Sequence, residues 1–375
     1  MSRPALRGSA EPLAARYDVA LLDLDGVVYR GAEAVPDAAA ALEKAGQAGM
    51  RRAFVTNNAA RSPQAVADHL RRLGIPAEPT DVVTSAQTGA HVLAERLPAG
   101  ATVLVVGTAS LADEVTARGL TVVTTAAEHP AAVIQGYSPD TGWRILAEAV
   151  VAIRRGAFWL ATNNDLTVPS PRGPLPGNGA FVAVVQATAE AVPLVTGKPE
   201  PAMHREMMER TGARHPLIVG DRLDTDIEGA NRAGADSLLV LTGVTTPAVL
   251  LAAAPRHRPT YLAAGLGGLL SPHPEPVALA AGRWQCGGFV AAAGPDGLHL
   301  SGHGDDDADA LRALCACSWA ADPGDPGMTA ATEPAAIPLA RPVPVRGAVP
   351  VVVPETAAAA AATHRLGLGG PAVRP

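Results

Sequence analysis

Short apolar runs rich in Val, Leu and Ile alternate with segments of helical period along most of this chain, and that alternation constrains its fold more than any other feature. A run too short for a helix reads as a buried strand, and a helical segment between two such runs is long enough to cross a sheet. Tyr17 to Leu24 reads as a strand, Pro36 to Gly49 as a helix with Pro in its first turn and Gly near its end, and Arg52 to Thr56 as a second strand. Ser62-Pro63 opens a further helix to about Leu73. Strand, helix, strand, helix at this spacing implies a parallel sheet with crossover helices.

After Gly74 the connection lengths change. Strands are expected at Thr102–Val106, Leu120–Val123, Ala132–Ile134 and Phe158–Ala161, with helices at Ala86–Leu97, Thr108–Arg118 and Trp143–Arg155. Val168 to Gly179 is a Pro- and Gly-rich loop. From Val192 the first pattern resumes, through strands at Pro193–Val195, Leu217–Val219 and Ser237–Leu241. The fold class is therefore α/β. A flexible N-terminus (1–16) precedes a parallel-sheet core (17–84 and 192–270), and an α/β cap (85–191) is inserted into that core. Beyond Ser271 the composition shifts. Trp284–Ala292 and Leu298–Leu300 pair across Gly294-Pro295-Asp296-Gly297, and Asp305-Asp306-Asp307 favour a helix N-terminus before Ala308–Trp319. These form a small α+β C-terminal domain (277–350), with Pro323–Pro334 a linker and 351–375 a disordered tail.

Lys plus Arg number 30 against 36 Asp plus Glu, a net charge of −6 that gives no basic surface for nucleic acid. Three cysteines, Cys286, Cys315 and Cys317, are too few for a disulfide framework and suit a reducing cytoplasm; the last two read as buried small hydrophobes. No apolar stretch reaches the roughly 18 residues of a membrane span.

Four short motifs end successive strands of the core: Asp23-Leu24-Asp25-Gly26, Thr56-Asn57-Asn58, Gly197-Lys198-Pro199 and Gly220-Asp221 with Thr225-Asp226. Ligands of open parallel sheets bind beyond the carboxyl ends of the strands, so the motifs converge on one edge. They bring carboxylates, a hydroxyl and an ammonium, a set that suits a phosphoryl group with a hard divalent cation. Singly, each has an ordinary reading. Thr56-Asn57-Asn58 is a turn cluster, Lys198 a solvated lysine, Gly220-Asp221 a strand-ending turn and Asp226 a first-turn acid. Their coincidence reverses the balance.

In this order the motifs resemble those of the haloacid-dehalogenase-like phosphatases, specifically the nitrophenylphosphatase-like subfamily with a large α/β cap and a Rossmann-like core. The resemblance covers about Tyr17 to Leu266. It implies that Asp23 is the nucleophile that becomes an aspartyl-phosphate, Asp25 the general acid and base, and Lys198 the stabilising cation. Thr56, Asn57, Asn58 and Gly26 would hold the phosphate. Mg²⁺ would sit on Asp23, the Asp25 carbonyl and Asp221, with Asp226 supporting from behind. Asn163 and Asp165, before the turn Pro176-Gly177-Asn178-Gly179, match cap residues that orient substrate, although a tight Asx turn explains them equally well.

The segment Val277 to Ala321 resembles an acetyltransferase-like domain found on some actinobacterial members. Cys286-Gly287-Gly288 lacks the glycine-spaced turn of an acyl-CoA loop, so a non-catalytic domain for homodimerisation or regulation is expected. Members with cap and tail together resemble glycerol-3-phosphate phosphatases, making a small polyol or sugar phosphate the expected substrate. A phosphomutase and a phospho-ligand sensor are the alternatives.

Overall fold

Strand residues of the first unit are almost wholly apolar, because this sheet is covered on both faces. In the computed structural model, which describes residues 6–168, 170, 172–320 and 349–369, the chain divides into two compact units. The first takes in the described residues of 1–52, 213–328 and 343–375, and the second those of 53–212.

In the first unit four parallel strands lie in the order Tyr261–Ala263, Asp236–Val240, Pro216–Gly220, Val19–Leu22. Val19–Leu22 is buried at every position. Its register pairs Leu22 with Val219, and Gly220 pairs with Leu239, so these strands finish level with one another. That alignment brings the residues after Leu22, Gly220 and Val240 to one edge. Before the chain leaves this unit at Arg52, the Arg51 N–H donates to the Asp18 carbonyl (3.0 Å).

The C-terminal segment belongs to the same unit. Trp284–Cys286, Phe289–Gly294 and Gly297–Gly302 form an antiparallel meander whose second hairpin closes Gly294 on Gly297, as the turn sequence predicts. The expected single strand from Trp284 to Ala292 is divided because Gly287, at φ +53°, turns the chain there. The expected disordered tail is corrected over its described residues, 351–369. Val352–Pro354 adds a parallel strand to this sheet, and Ala357–Arg365 is a helix with Thr356 capping it. Its apolar side is only Ala359 and Ala362, small residues that give little pattern in the sequence yet are fully buried. Pro323–Pro334 lies outside the described residues.

One hydrophobic core joins the two sheets of this unit. Leu223, Leu239, Leu250, Leu251 and Leu262 pack in the same cluster as Phe289, Leu300, Leu311, Leu314 and Trp319. At its margin Arg312, 4% exposed, pairs with Asp309, approaches Asp306 (3.3 Å) and donates from Nη2 to the Leu262 carbonyl (2.7 Å). Cys286, Cys315 and Cys317 are all buried and free. Burial, with the Asp309 charge adding, pushes the Cys286 thiol up to about 12.

The second unit holds a five-stranded parallel sheet, ordered Leu194–Val195, Phe158–Ala161, Ala132–Gln135, Thr102–Val106, Thr121–Val123. Helices Ser85–Arg96 and Ala109–Ala117 contribute to one apolar cluster with it, and Trp143–Arg154 and Asn178–Ala189 to another. Helix starts follow their caps: Ser62 accepts from the Ala65 N–H, and Thr84 and Gln87 form a reciprocal box. The expected core boundary at 192 moves, since Leu194–Val195 pairs with Phe158–Ala161 of the cap sheet. The sequence marks this run as a strand, but its two residues do not say which sheet it joins. Among the described residues no helix is long and apolar enough to cross a membrane.

Candidate active site

Strand geometry ends at Leu22, and the next residues wrap tightly. The Asp23 N–H donates to the Val219 carbonyl (2.9 Å), then the Leu24 carbonyl accepts from the N–H groups of Val28 (2.9 Å) and Tyr29 (3.1 Å). This wrap leaves Asp23 half-buried and Asp25 exposed on either side of a fully buried Leu24. Two acids one residue apart are thus put in different surroundings, the condition for different protonation roles. Gly26 takes φ +85°, and a Cβ there would stand 2.6 Å from Asp221 Oδ2. Only glycine fits.

Asp221 follows the buried strand Pro216–Gly220 and is itself fully buried. Its Oδ2 accepts from the Val244 N–H (2.6 Å), a charge-assisted bond that offsets part of its desolvation. Asp226 sits in the π-turn Leu223–Ile227, where its Oδ2 accepts from the Arg222 N–H (3.1 Å). A Cβ on Gly220 would overlap this side chain, so the glycine lets strand and turn approach. Asp23, Asp221 and Asp226 each bring a carboxylate oxygen within 4.8 Å of the others. Like charges this close, two of them buried, are costly unless a cation compensates them. A set of oxygen donors only is the kind that Mg²⁺ or Ca²⁺ takes. Asp226, expected behind the metal site, therefore stands among its candidate ligands, while the Asp25 carboxylate is not in the trio.

The other sequence candidates meet in the second unit. Thr56 Oγ1 accepts from the Asn58 N–H (3.1 Å), and Asn58 Oδ1 from the Ala60 N–H (2.8 Å), shaping a compact loop. Lys198 is 4% exposed, and its Nζ donates to the Val55 carbonyl (3.1 Å). Asn57 is the bracket of this cluster. Its Oδ1 accepts from the Lys198 N–H (2.8 Å), while Nδ2 donates to the Lys198 carbonyl (3.2 Å) and to both oxygens of Asp165 (3.1 and 3.2 Å). Asn163, buried, donates to the Asn57 carbonyl (2.8 Å) and accepts from the Asp165 N–H (3.2 Å). Both ends of the Asn57 amide are thus spent on protein partners, where the sequence suggested a phosphate ligand. The loop glycines have a steric reason too: a Cβ on Gly177 would stand 3.0 Å from the Thr167 nitrogen.

His204 was not legible as part of this cluster. It is fully buried on the helix Ala202–Thr211, and burial, with the Lys198 charge adding, lowers its pKa to about 3. In sequence it is one histidine in a polar helix, with nothing to separate it from a solvated one.

A family model described as haloacid dehalogenase-like hydrolase matches residues 20–121, a HAD-hydrolase-like model matches 195–269, and a GCN5-related N-acetyltransferase like domain matches 286–341. The chain is 45% identical over 319 residues to the D-glycerol 3-phosphate phosphatase of Mycobacterium tuberculosis, covering 84% of this chain and 89% of that one. It is 37% identical to the acid sugar phosphatase of Staphylococcus saprophyticus, over 61% of this chain and 88% of the relative. A crystal structure of glycerol phosphate phosphatase from Mycobacterium tuberculosis in complex with calcium superposes with TM-score 0.82 at 40% identity, covering 96% of this chain and 100% of that chain, and one in complex with magnesium with TM-score 0.80.

Proposed function

The chain belongs to the haloacid dehalogenase-like hydrolases, as a phosphatase of that family, and from this premise we propose that it hydrolyses small phosphomonoesters with Mg²⁺ through an aspartyl-phosphate on Asp23. The observation that carries the proposal is the gathering of Asp23, Asp221 and Asp226 where adjacent parallel strands end, with Asp25 two residues beyond Asp23. A polyol phosphate, glycerol 3-phosphate first, is the substrate we infer. The similarity to a D-glycerol 3-phosphate phosphatase over 319 residues, well beyond the core motifs, supports that choice.

Asp23, Asp221 and Asp226 would hold the cation through their carboxylates, together with the Asp25 carbonyl. A bound Mg²⁺ supplies neutralisation of the phosphoryl oxygens. The Asp23 carboxylate attacks phosphorus, and the bond from phosphorus to the ester oxygen breaks as the Asp25 carboxyl gives its proton to the departing alkoxide. Asp25, now a carboxylate, then takes a proton from the water that attacks the phospho-aspartate. That step releases inorganic phosphate and restores both acids. Thr56, the N–H groups of its loop and Gly26 position the phosphoryl oxygens, and Lys198 balances their charge. Asn57 fixes Lys198 and Asp165 in one frame, Asn163 supports that frame from within, and Asp165 orients the alcohol.

The C-terminal segment is non-catalytic in this reading. Asp306 and Asp307 at the start of its helix are paired with Arg312 and Arg365, so a pyrophosphate at that end would face carboxylates. Three free, buried cysteines suit a reducing compartment, and we place the enzyme in the cytoplasm.

The test is phosphate release from a panel of phosphomonoesters with Mg²⁺, wild type against Asp23→Asn. The variant is expected to release none and to form no beryllofluoride adduct. Turnover like that of the wild type would remove Asp23 as nucleophile, and tight ligand binding without turnover in the wild type would make the protein a sensor.

A further inference from the structure

The segment after the strand Asp236–Val240 has no part in the chemistry above, yet it touches both sides of the carboxylate cluster. Thr242 Oγ1 donates to the Gly26 carbonyl (2.6 Å), one residue beyond Asp25. The Thr242 carbonyl accepts in turn from the Arg30 guanidinium, at the far end of the nucleophile loop. Two residues later the Val244 N–H donates to Asp221 Oδ2 (2.6 Å), and the Thr245 N–H to the Asp221 carbonyl (3.1 Å). Between them Gly243 lies against the Asp221 carboxyl group so closely that a Cβ there would overlap it. The same imagined atom on Gly26 would stand 3.0 Å from Gly243 Cα. The backbones of Gly26 and Gly243 therefore both close on the Asp221 carboxyl group, where neither has room for a side chain. Past the strap, Thr246 caps the helix Pro247–Leu251, whose Leu250 and Leu251 are buried in the core. The strap has a firm anchor at that end.

Val244 itself is 64% exposed, so its side chain is not what places it there. Its N–H is. A carboxylate held by one short charge-assisted bond cannot rotate freely, and partners behind a ligand set both its orientation and its affinity.

We infer that residues 242–245 form a positioning strap: the Thr242 hydroxyl locks the Gly26 carbonyl, and with it the Asp23–Asp25 loop, in register with an Asp221 carboxylate fixed by the Val244 N–H. The strap rests on the reading of Asp221 as a cation ligand. It predicts that a hydroxyl absent from that ligand set governs how tightly the set binds Mg²⁺.

Isothermal titration of Mg²⁺ into the full chain, with no substrate present, tests it on wild type, Asp221→Ala, Thr242→Val and Thr242→Ser. Removing a partner behind a ligand costs about 10- to 100-fold in metal affinity. Thr242→Val is expected to bind Mg²⁺ about tenfold more weakly than wild type at an unchanged melting temperature, with kcat recovering at saturating Mg²⁺. Thr242→Ser, which keeps the hydroxyl, is expected to bind as wild type does. Should the valine variant not fold, Thr242→Ala carries the same comparison. Wild-type binding that Asp221→Ala abolishes and Thr242→Val leaves within about twofold of wild type would overturn the strap alone. Equal binding by wild type and Asp221→Ala would overturn the cation-ligand reading beneath it, and the strap with it.

Discussion

His204 sets a stability test that does not depend on turnover. Its ring is fully buried, and Nδ1 has no hydrogen-bond partner among the described residues. Desolvation, with the neighbouring Lys198 charge adding, lowers its pKa to about 3. An unfolded histidine titrates near 6.5. Above that pH both states carry a neutral imidazole, and the residue makes no pH-dependent contribution. Below it the unfolded chain binds a proton that the folded chain refuses until about pH 3, so stability present above about 6.5 is lost as pH falls. The slope approaches about 1.4 kcal/mol per pH unit, which amounts to about 2 kcal/mol between about pH 7 and about pH 5. Urea unfolding of wild type and His204→Leu at those two pH values isolates the term, because the other acid-sensitive groups are common to both. The variant is expected to lose about 2 kcal/mol less on acidification than wild type does. Equal losses, or an NMR titration placing His204 near its unfolded value, would refute the reasoning.

Other perturbations address the site and the appended sheet. Asp221→Ala is expected to raise the Mg²⁺ concentration needed for half-maximal phosphate release by at least about tenfold; an unchanged Mg²⁺ titration would remove Asp221 from the cation site. Asn57→Asp keeps the shape of the bracket but sets a carboxylate against Asp165 and deletes two donors. Thermal melts should show a loss of about 2 kcal/mol or more at neutral pH that shrinks in acid, and a loss independent of pH would contradict the bracket. Truncation before residue 277 strips the cover from Leu250, Leu251 and Leu262, and the product is expected to be insoluble. A soluble, active truncation would contradict the shared core.

The parts legible in the sequence were those written in side chains. Apolar runs gave the strands, and Asp23, Asp25, Thr56, Lys198 and Asp221 stood at their ends, where chemistry and spacing coincide. What could not be read was carried by backbone or by very small residues. Val244 acts through its N–H, and any residue except proline would have displayed the same signal. Ala357–Arg365 packs through Ala359 and Ala362, which resemble the low-complexity sequence around them. Asp226 was expected behind the metal site and not on it, because only the π-turn Leu223–Ile227 and the small Gly220 bring it against Asp23 and Asp221. Asn57 was recognisable as polar and close to function. Its partners are Asp165 and Lys198, more than a hundred residues away in sequence, and no local pattern encodes them.

The bond from Arg312 to the Leu262 carbonyl also bears on assembly. Tyr261–Ala263 is the last strand of its sheet, and an outer strand offers a row of unpaired backbone groups to any passing chain. Arg312 occupies one of those carbonyls, and the Arg7 N–H takes that of Thr260 (2.9 Å). Leu262 is meanwhile buried among side chains of the appended sheet and its helices. Continuing the sheet from one copy of the chain into another along this border would require breaking those bonds and opening that core. Two copies that associate must therefore do so through some other face. The appended sheet, whatever else it does, acts as a guard against filament-like growth at this border of the parallel sheet.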